Sequence, residues 1–414
     1  MRIVLNSVGS TGDIMPFLAL GQELKELGHS VVLAAPPNFQ LMVEGIGLEF
    51  AAVGPFWENE WASQLSMNMV NAPDRTRQWQ IFFEGFSFAV PAMFKDLSKI
   101  CADADALVAS CYSFAAHMVH EALKIPFITI RFAHFGEENE ITKELAGGAI
   151  NQCRIQMGFL PLRDPFGADA HSSLLSLYAI SPGLTGYPTR QAPGFFFCKD
   201  STQFRPGRGL AEFLAEGEKP IILTFGSMVA KDSAAMMKMV VEGLESVGKR
   251  TLIQRGWRSL GLDAKSLPPH IRLIGHAPHD WLFSQASLII HHGGAGTTAA
   301  CLRAGVPAIV IPWMIDQPDW GELTLQWGAT SAVIPQQELT AEKLAAAIRQ
   351  TFEAYESYLE RARLLAEMIQ AEGGAKSAAR RIEAIVNGKS RLLDVPGRVA
   401  VDLKSVPPAS LYIQ

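Results

Sequence analysis

The segment HHGGAGTT, His291 to Thr298, sets two adjacent histidines before three glycines and two threonines. Those residue types could hold a metal, act as a base or cradle a phosphate. They could also form a bare turn between a strand and a helix, and a Gly-rich turn alone is weak evidence for a ligand. Adjacent residues on an extended strand point to opposite faces, a poor arrangement for two ligands on one metal. No third His, Cys or carboxylate stands nearby at metal-ligand spacing. Glycine lets backbone N–H groups approach a ligand, and a helix N-terminus adds unpaired donors and partial positive charge. The turn of Gly293, Gly294 and Gly296 is therefore a good phosphate cradle, with Thr297 and Thr298 able to donate hydroxyl bonds or cap the helix, one histidine at its mouth and the other packed. Asp316 and Gln317 follow the next apolar run, VPAIVIP. A carboxylate beside an amide suits vicinal hydroxyls, since the acid accepts and the amide does both. Phosphate plus hydroxyls suggests a nucleotide sugar.

A second Gly-rich turn, GSTGDIMP, spans Gly9 to Pro16. Asp13 near its end reads either as a first-turn helix acid or as a base. Ser10 and Thr11 could bond an acceptor or a donor. His134, in RFAHFGE, is a second base candidate. His117 and His120, in SFAAHMVHEALK, fall on a helical pattern and read as structural or exposed. The DAD at Asp103 to Asp105 looks like a metal motif, but it precedes the strand ALVAS and so belongs on the opposite rim, as a solvated helix end. The first half also carries aromatics in quantity, among them Phe56, Trp57, Trp61, Trp79, Phe82, Phe83, Phe86 and Phe88. About half would be core; the others would line an apolar acceptor pocket, which does not suit a strongly charged acceptor.

The elements that must position these residues are short apolar runs alternating with helical patterns. RIVLNSV, HSVVLAA, GLEFAAV, ADALVAS and PFITIRF form one series; KPIILTFGS, KRTLIQ, HIRLIG, ASLIIHH and VPAIVIP form another. Such alternation indicates βαβ units and parallel sheets, and in open α/β sheets ligands bind beyond the carboxyl ends of the strands. The expected fold class is α/β, with two doubly wound domains. The expected boundaries are an acceptor domain at 1–200, a linker at 201–218, a donor domain at 219–390 and a tail at 391–414. Gly54–Asp74 and the stretch from Arg131 to near Asp169 read as irregular insertions.

The ordered set H-x-G-x-G-T, GVP and P-x-x-x-DQ, within Ile274 to Gly328, resembles the donor-binding signature of the family 1 glycosyltransferases. That family includes plant and animal UDP-glycosyltransferases, sterol glucosyltransferases and the macrolide and glycopeptide antibiotic glycosyltransferases. The resemblance implies the GT-B fold, two Rossmann-like domains facing across a cleft. It assigns the diphosphate contact to His292, the phosphate cradle to Gly294, Gly296 and Thr297, and the sugar hydroxyls to Asp316 and Gln317. The GSxGDxxP turn is similar to that of sterol and antibiotic members and implies Asp13 as general base, with Ser10 on the acceptor and Gly12 on the donor. Gly226 and Ser227 would also touch the donor. Plant members place a Trp on the nucleobase where this chain has His276, with Ala277 beside it a further expected donor contact; Trp257 is the alternative stacking residue. UDP and dTDP donors both remain open, UDP-glucose being the expected one. Phe56, Trp57, Phe83, Phe86, His134 and Trp313 are the expected acceptor contacts.

The expected reaction is therefore an inverting, metal-independent transfer of a hexose to a hydroxyl of a sterol, terpenoid, polyketide, flavonoid or lipid, with no cofactor. The alternatives are a non-catalytic nucleotide-sugar binder or a nucleotide-sugar epimerase. The chain has 414 residues and a formal net charge of −5, which argues against a nucleic-acid binder. Five scattered cysteines without CxxC spacing suggest a reducing compartment, and the opening residues read as a strand rather than a signal peptide. A cytoplasmic monomer or homodimer, without a transmembrane segment but open to peripheral membrane contact, is expected.

Overall fold

A computed structural model describes residues 1–132, 140–165, 168–199, 204–226, 228, 232–256 and 261–388. The chain divides into two compact units. Among the described residues, one is Met1–Lys199 together with 372–388; the other is the stretch between, up to Ala371.

In the first unit β1 (Arg2–Asn6), β2 (Ser30–Ala35), β3 (Glu49–Ala52), β4 (Ala106–Ser110), β5 (Phe127–Arg131) and β6 (Leu175–Tyr178) pair in parallel in the order β3-β2-β1-β4-β5-β6. In the second unit β7 (Ile221–Thr224), β8 (Thr251–Gln254), β9 (Ile271–Ile274), β10 (Leu288–His291), β11 (Ala308–Val310) and β12 (Thr330–Val333) pair in the order β12-β11-β10-β7-β8-β9. Read from the β9 end, this is the same 3-2-1-4-5-6 succession. Each sheet is thus doubly wound, and each reverses direction at a switch point, between β1 and β4 in one and between β7 and β10 in the other. The two Rossmann-like units expected from the sequence are present.

Apolar runs form the central strands because both faces are covered: Ile3, Val4 and Leu5 of β1, and Leu288, Ile289 and Ile290 of β10, are fully buried. The helix Thr11–Glu26 turns Ile14, Phe17, Leu18 and Leu24 into the first core. The helix Gly374–Val386 packs on it through a face of small residues, Ala375, Ala378 and Ala379, with Ile382. That helix lies in the range assigned from sequence to the second domain, yet it belongs to the first unit. The expected linker contains the helix Arg208–Ala215, whose Phe213 packs with Ile222 and Leu252 of the second core. Among the described residues, each of the two insertions contains a helix. Asn59–Val70 and Arg75–Ser87 form helices, the latter capped by Asp74 accepting from the Arg77 N–H at 2.8 Å. Glu140–Gln156 is a helix in the other insertion. The tail at 391–414 lies outside the described residues. No helix among the described residues is long and apolar enough to cross a membrane.

Ile382 is fully buried, so Ile382→Ala is expected to lower the stability of the first unit by about 2–5 kcal/mol. Denaturant unfolding followed by circular dichroism checks this; an unchanged midpoint would detach the helix from that core.

Candidate active site

In the first unit the β1 strand leads through Gly9 into the helix Thr11–Glu26. Gly9 has φ +124°, and a Cβ there would collide with the Asp13 carboxylate. Glycine thus lets the turn fold over Asp13. The Asp13 Oδ2 accepts from the Ser10 N–H at 2.7 Å and from the Ser10 hydroxyl at 2.9 Å, a reciprocal capping box. The Ser7 hydroxyl donates to the Asp13 carbonyl at 2.8 Å. Asp13 is therefore a first-turn cap, but not only that. Capping bonds lower a carboxyl pKa, whereas burial overrides them here and pushes Asp13 up to about 6. Its Oδ1 takes no hydrogen bond from another described residue. The Thr11 hydroxyl, also on this turn, is buried without a partner. Ser10 and Gly12 are exposed at the helix start.

In the second unit three adjacent strand ends build the other site. His291, the last residue of β10, is buried, and its Nδ1 accepts the Gly293 N–H at 3.1 Å. That bond bends the chain into the turn, so His291 is structural. His292 is also buried and lies between glycines: a Cβ on Gly294 would come within 2.5 Å of its Nε2, and one on Gly226, after β7, within 3.0 Å of its Cε1. The ring therefore fills the switch point between β7 and β10. Burial, with His279 nearby, holds His292 at about 4, against the opposing pull of the Thr224 carbonyl. Its Nδ1 is buried without a partner. The turn then enters the helix Ala295–Ala304, capped by Gly294. A Cβ on Gly296 would meet nothing within 4 Å, so the protein itself does not demand glycine there. Thr297 is buried at the helix start, and the buried Thr298 hydroxyl has no partner.

The loop after β11 comes against this turn: a Cβ on Gly293 would lie 2.8 Å from the Gln317 carbonyl. Ile315 has φ +53°, a strained value for a β-branched residue, immediately before Asp316. Asp316 Oδ2 accepts from the Trp320 indole at 3.0 Å. Gln317 Oε1 accepts the Trp313 and Met314 N–H groups at 2.9 and 3.4 Å, and its Nε2 rests on the Met228 sulfur at 3.4 Å. Gln317 thus orders the loop, and only its weak sulfur contact is readily exchanged.

Other expected site residues sort by position. Ala277 is buried, with its carbonyl accepting from Gln254 Nε2 at 2.7 Å, and His276 is exposed. Gln254 Oε1 in turn meets His279 Nε2 at 3.1 Å. Gln254 and His279 were not singled out from the sequence, although a position at a strand end on this rim was available as a signal. Trp313 is buried in the second unit against Phe225, at 5.6 Å. Trp57 and Phe83 are buried in the first unit, Phe86 is half-buried and Phe56 is exposed. Trp57 stacks on Trp61 at 4.7 Å. Ser227, Trp257 and His134 lie outside the described residues. His120 Nδ1 meets the Ile125 carbonyl at 2.6 Å and its ring stacks on Phe127, a structural role. The DAD acids bind Arg2 at the start of β1: Asp105 takes its N–H at 2.7 Å and Asp103 its Nε at 2.9 Å. They mark the amino-terminal rim, ion-paired rather than merely solvated. No group of three or more His, Cys, Asp or Glu converges among the described residues.

Residues 3–138 match the glycosyltransferase family 28 N-terminal domain, and residues 254–385 match the erythromycin biosynthesis protein CIII-like C-terminal domain. The chain is 30% identical over 417 residues to sterol 3-beta-glucosyltransferase UGT80A2 of Arabidopsis thaliana, covering 92% of this chain and 65% of that protein. It is 29% identical to a sterol 3-beta-glucosyltransferase of Emericella nidulans, covering 92% of this chain but 30% of that one. The chain thus spans less than two thirds of these relatives' lengths. Among solved structures, the glycotransferase of kitacinnamycin superposes with TM-score 0.72 at 20% identity, covering 93% and 99% of the two chains. The spinosyn rhamnosyltransferase SpnG complexed with thymidine diphosphate superposes with TM-score 0.70 at 18% identity, covering 92% and 100%.

The two glycines of the turn should separate in a thermal melt. Gly294→Ala pushes a methyl into His292 and is expected to cost roughly 1–3 kcal/mol, whereas Gly296→Ala should leave the midpoint unchanged. Equal melting of both would remove the His292 packing.

Proposed function

We propose that this chain, a member of the family 1 glycosyltransferases, moves a hexose from a nucleotide diphosphate donor to a hydroxyl of a lipophilic acceptor, with inversion. UDP-glucose is the proposed donor, with a dTDP-sugar as the variant. The acceptor is a sterol, the substrate named for its relatives, or another lipophilic alcohol such as a terpenoid, polyketide, flavonoid or lipid. The observation that carries this reading is the contact between the Gly293 turn and the Asp316–Gln317 loop, which sets an anion-binding helix start beside a carboxylate suited to sugar hydroxyls.

In this mechanism Asp13 Oδ1 takes the acceptor hydroxyl proton as that oxygen attacks the anomeric carbon. The bond from the anomeric carbon to the diphosphate oxygen breaks in the same step. A carboxyl near 6 is well matched to this work, being largely ionised at neutral pH yet more basic than an exposed aspartate. His292, neutral at that pH, turns its one N–H from the Thr224 carbonyl to the diphosphate, and the N-terminal amides of Ala295–Ala304 offset the charge that grows on the leaving group. Asp316 accepts from the sugar hydroxyls, with Gln317 holding the loop in place. His276 and Ala277 lie toward the nucleobase. No metal step is invoked, so transfer should persist in EDTA; its loss would return metal chemistry to the reaction.

The test is mass spectrometry of glycosylated product from UDP- and dTDP-sugars with lipophilic alcohols. Asp13→Asn should lower the rate by at least about 10²-fold while UDP binds as before, and a surviving rate would move the base elsewhere. In the wild type kcat/KM should fall as pH drops below about 6, because protonation removes the base; a rate flat down to pH 5 would contradict this. His292→Ala should weaken UDP binding in calorimetry by about tenfold or more, and an unchanged affinity would sink the cradle.

A further inference from the structure

β5 ends at Arg131, on the carboxyl rim of the first sheet and two strands from β1 in the order β1-β4-β5. Its Nη1 donates to His171 Nε2 at 2.7 Å, and its guanidinium lies 5.3 Å from the centre of the Tyr178 ring. Its Nε is buried without a partner. The ionisable groups that feel this charge are Cys111, Tyr112 and Tyr178. None is a carboxylate, and burial pushes the Cys111 thiol up to about 11. No carboxylate of the described residues lies within ion-pair distance of Arg131. His171 is held at about 4, first by burial and then by Arg131, against the opposing pull of the Asp164 carboxylate. As a neutral ring accepting at Nε2, it carries its proton on Nδ1, and Nδ1 is likewise buried without a partner. A half-buried cation and two orphan N–H donors thus form one cluster, and the two unmet donors are costly even with the Asp164 carboxylate acting on the histidine.

Two connections say what kind of anion. The Cys111 thiol, at the end of β4, feels both Arg131 and Asp13, so the cluster shares the rim of the proposed base. Tyr112, the next residue, packs with Trp79 at 5.8 Å, Phe82 at 5.9 Å and Phe83 at 6.5 Å. Trp79 and Phe83 are buried, whereas Phe82 and Tyr112 are half-buried, so a partly open pair of rings runs up to the cation.

We propose that Arg131, with His171 and Tyr178, recognises the carboxylate of an amphipathic hydroxylated acceptor whose apolar body lies on the half-buried Phe82 and Tyr112 rings. This rests on the transferase reading and narrows its acceptor class. A lone carboxylate on an apolar body satisfies the cluster, whereas a plain alcohol leaves it unmet. The expectation that charge on the acceptor is excluded becomes a requirement for one charge at one place.

The test is binding of 12-hydroxydodecanoate and of its methyl ester to the full chain, by calorimetry at pH 7.5. The acid should bind at least tenfold tighter than the ester. Arg131→Gln should bring the two within threefold by weakening the acid alone, with UDP affinity kept, and Arg131→Lys should keep part of the preference. Equal binding of acid and ester to the wild type would overturn the proposal, as would a preference that survives Arg131→Gln. Loss of UDP binding in that variant would reassign the cation to the donor and overturn it too. If Arg131→Gln fails to fold, His171→Gln serves, with the same expected loss for the acid only. Failure of the transferase reading would show differently, as absent UDP binding and absent product with either compound, because the acid–ester difference is read without turnover.

Discussion

A parallel sheet delivers the end of every strand to one rim, and a doubly wound sheet opens a gap on that rim where its strand order reverses. The proposed chemistry depends on that constraint. In the first sheet the gap lies between β1 and β4, and the turn leaving β1 carries Asp13. In the second it lies between β7 and β10, and the His292 ring occupies it between Gly226 and Gly294. The same winding places Asp316 one strand further along, after β11, and Arg131 one strand past β4. No residue had to be brought in from a distant element.

Burial at these rims acts on acids and bases in opposite directions. Desolvation disfavours charge, so it raises Asp13 and lowers His292, His279 and His291. The outcome is a carboxylate that gains basicity and imidazoles that stay neutral. The proposed anion binding on the second unit then falls to N–H donors and the helix start rather than to a fixed histidinium. Arg131 is the exception, because a guanidinium does not give up its proton. Its charge stays where an acidic partner would relieve it.

The central strands were legible in the sequence because they are buried on both faces and read as unbroken apolar runs. The edge strands β6 and β12 were not. LSLY and TSAV each bury a single residue fully, so neither shows the continuous run or a clean alternation. The helix Gly374–Val386 advertised an apolar face through Ala378 and Ile382, but amphipathicity says only that a face is covered, not by which unit. The helices Asn59–Val70 and Arg75–Ser87 were hidden by polar residues and aromatics that disfavour helix on propensity and are held there by ring packing. At the site, the spacing of His292, Gly294, Gly296 and Asp316 was readable. The division of labour was not: Gln317 spends its oxygen on the loop backbone, and Gly294 serves His292 while Gly296 opens onto free space. Arg131 escaped notice because a single arginine at a strand end carries no motif.

The central claim is that Asp13 deprotonates the acceptor for direct displacement at the anomeric carbon. The anomeric configuration of the product, read by proton NMR from the coupling of the anomeric hydrogen, tests it most directly. From an α-linked UDP-glucose the account predicts a β-glucoside as the sole product. An α-glucoside would contradict direct displacement and with it the role of Asp13.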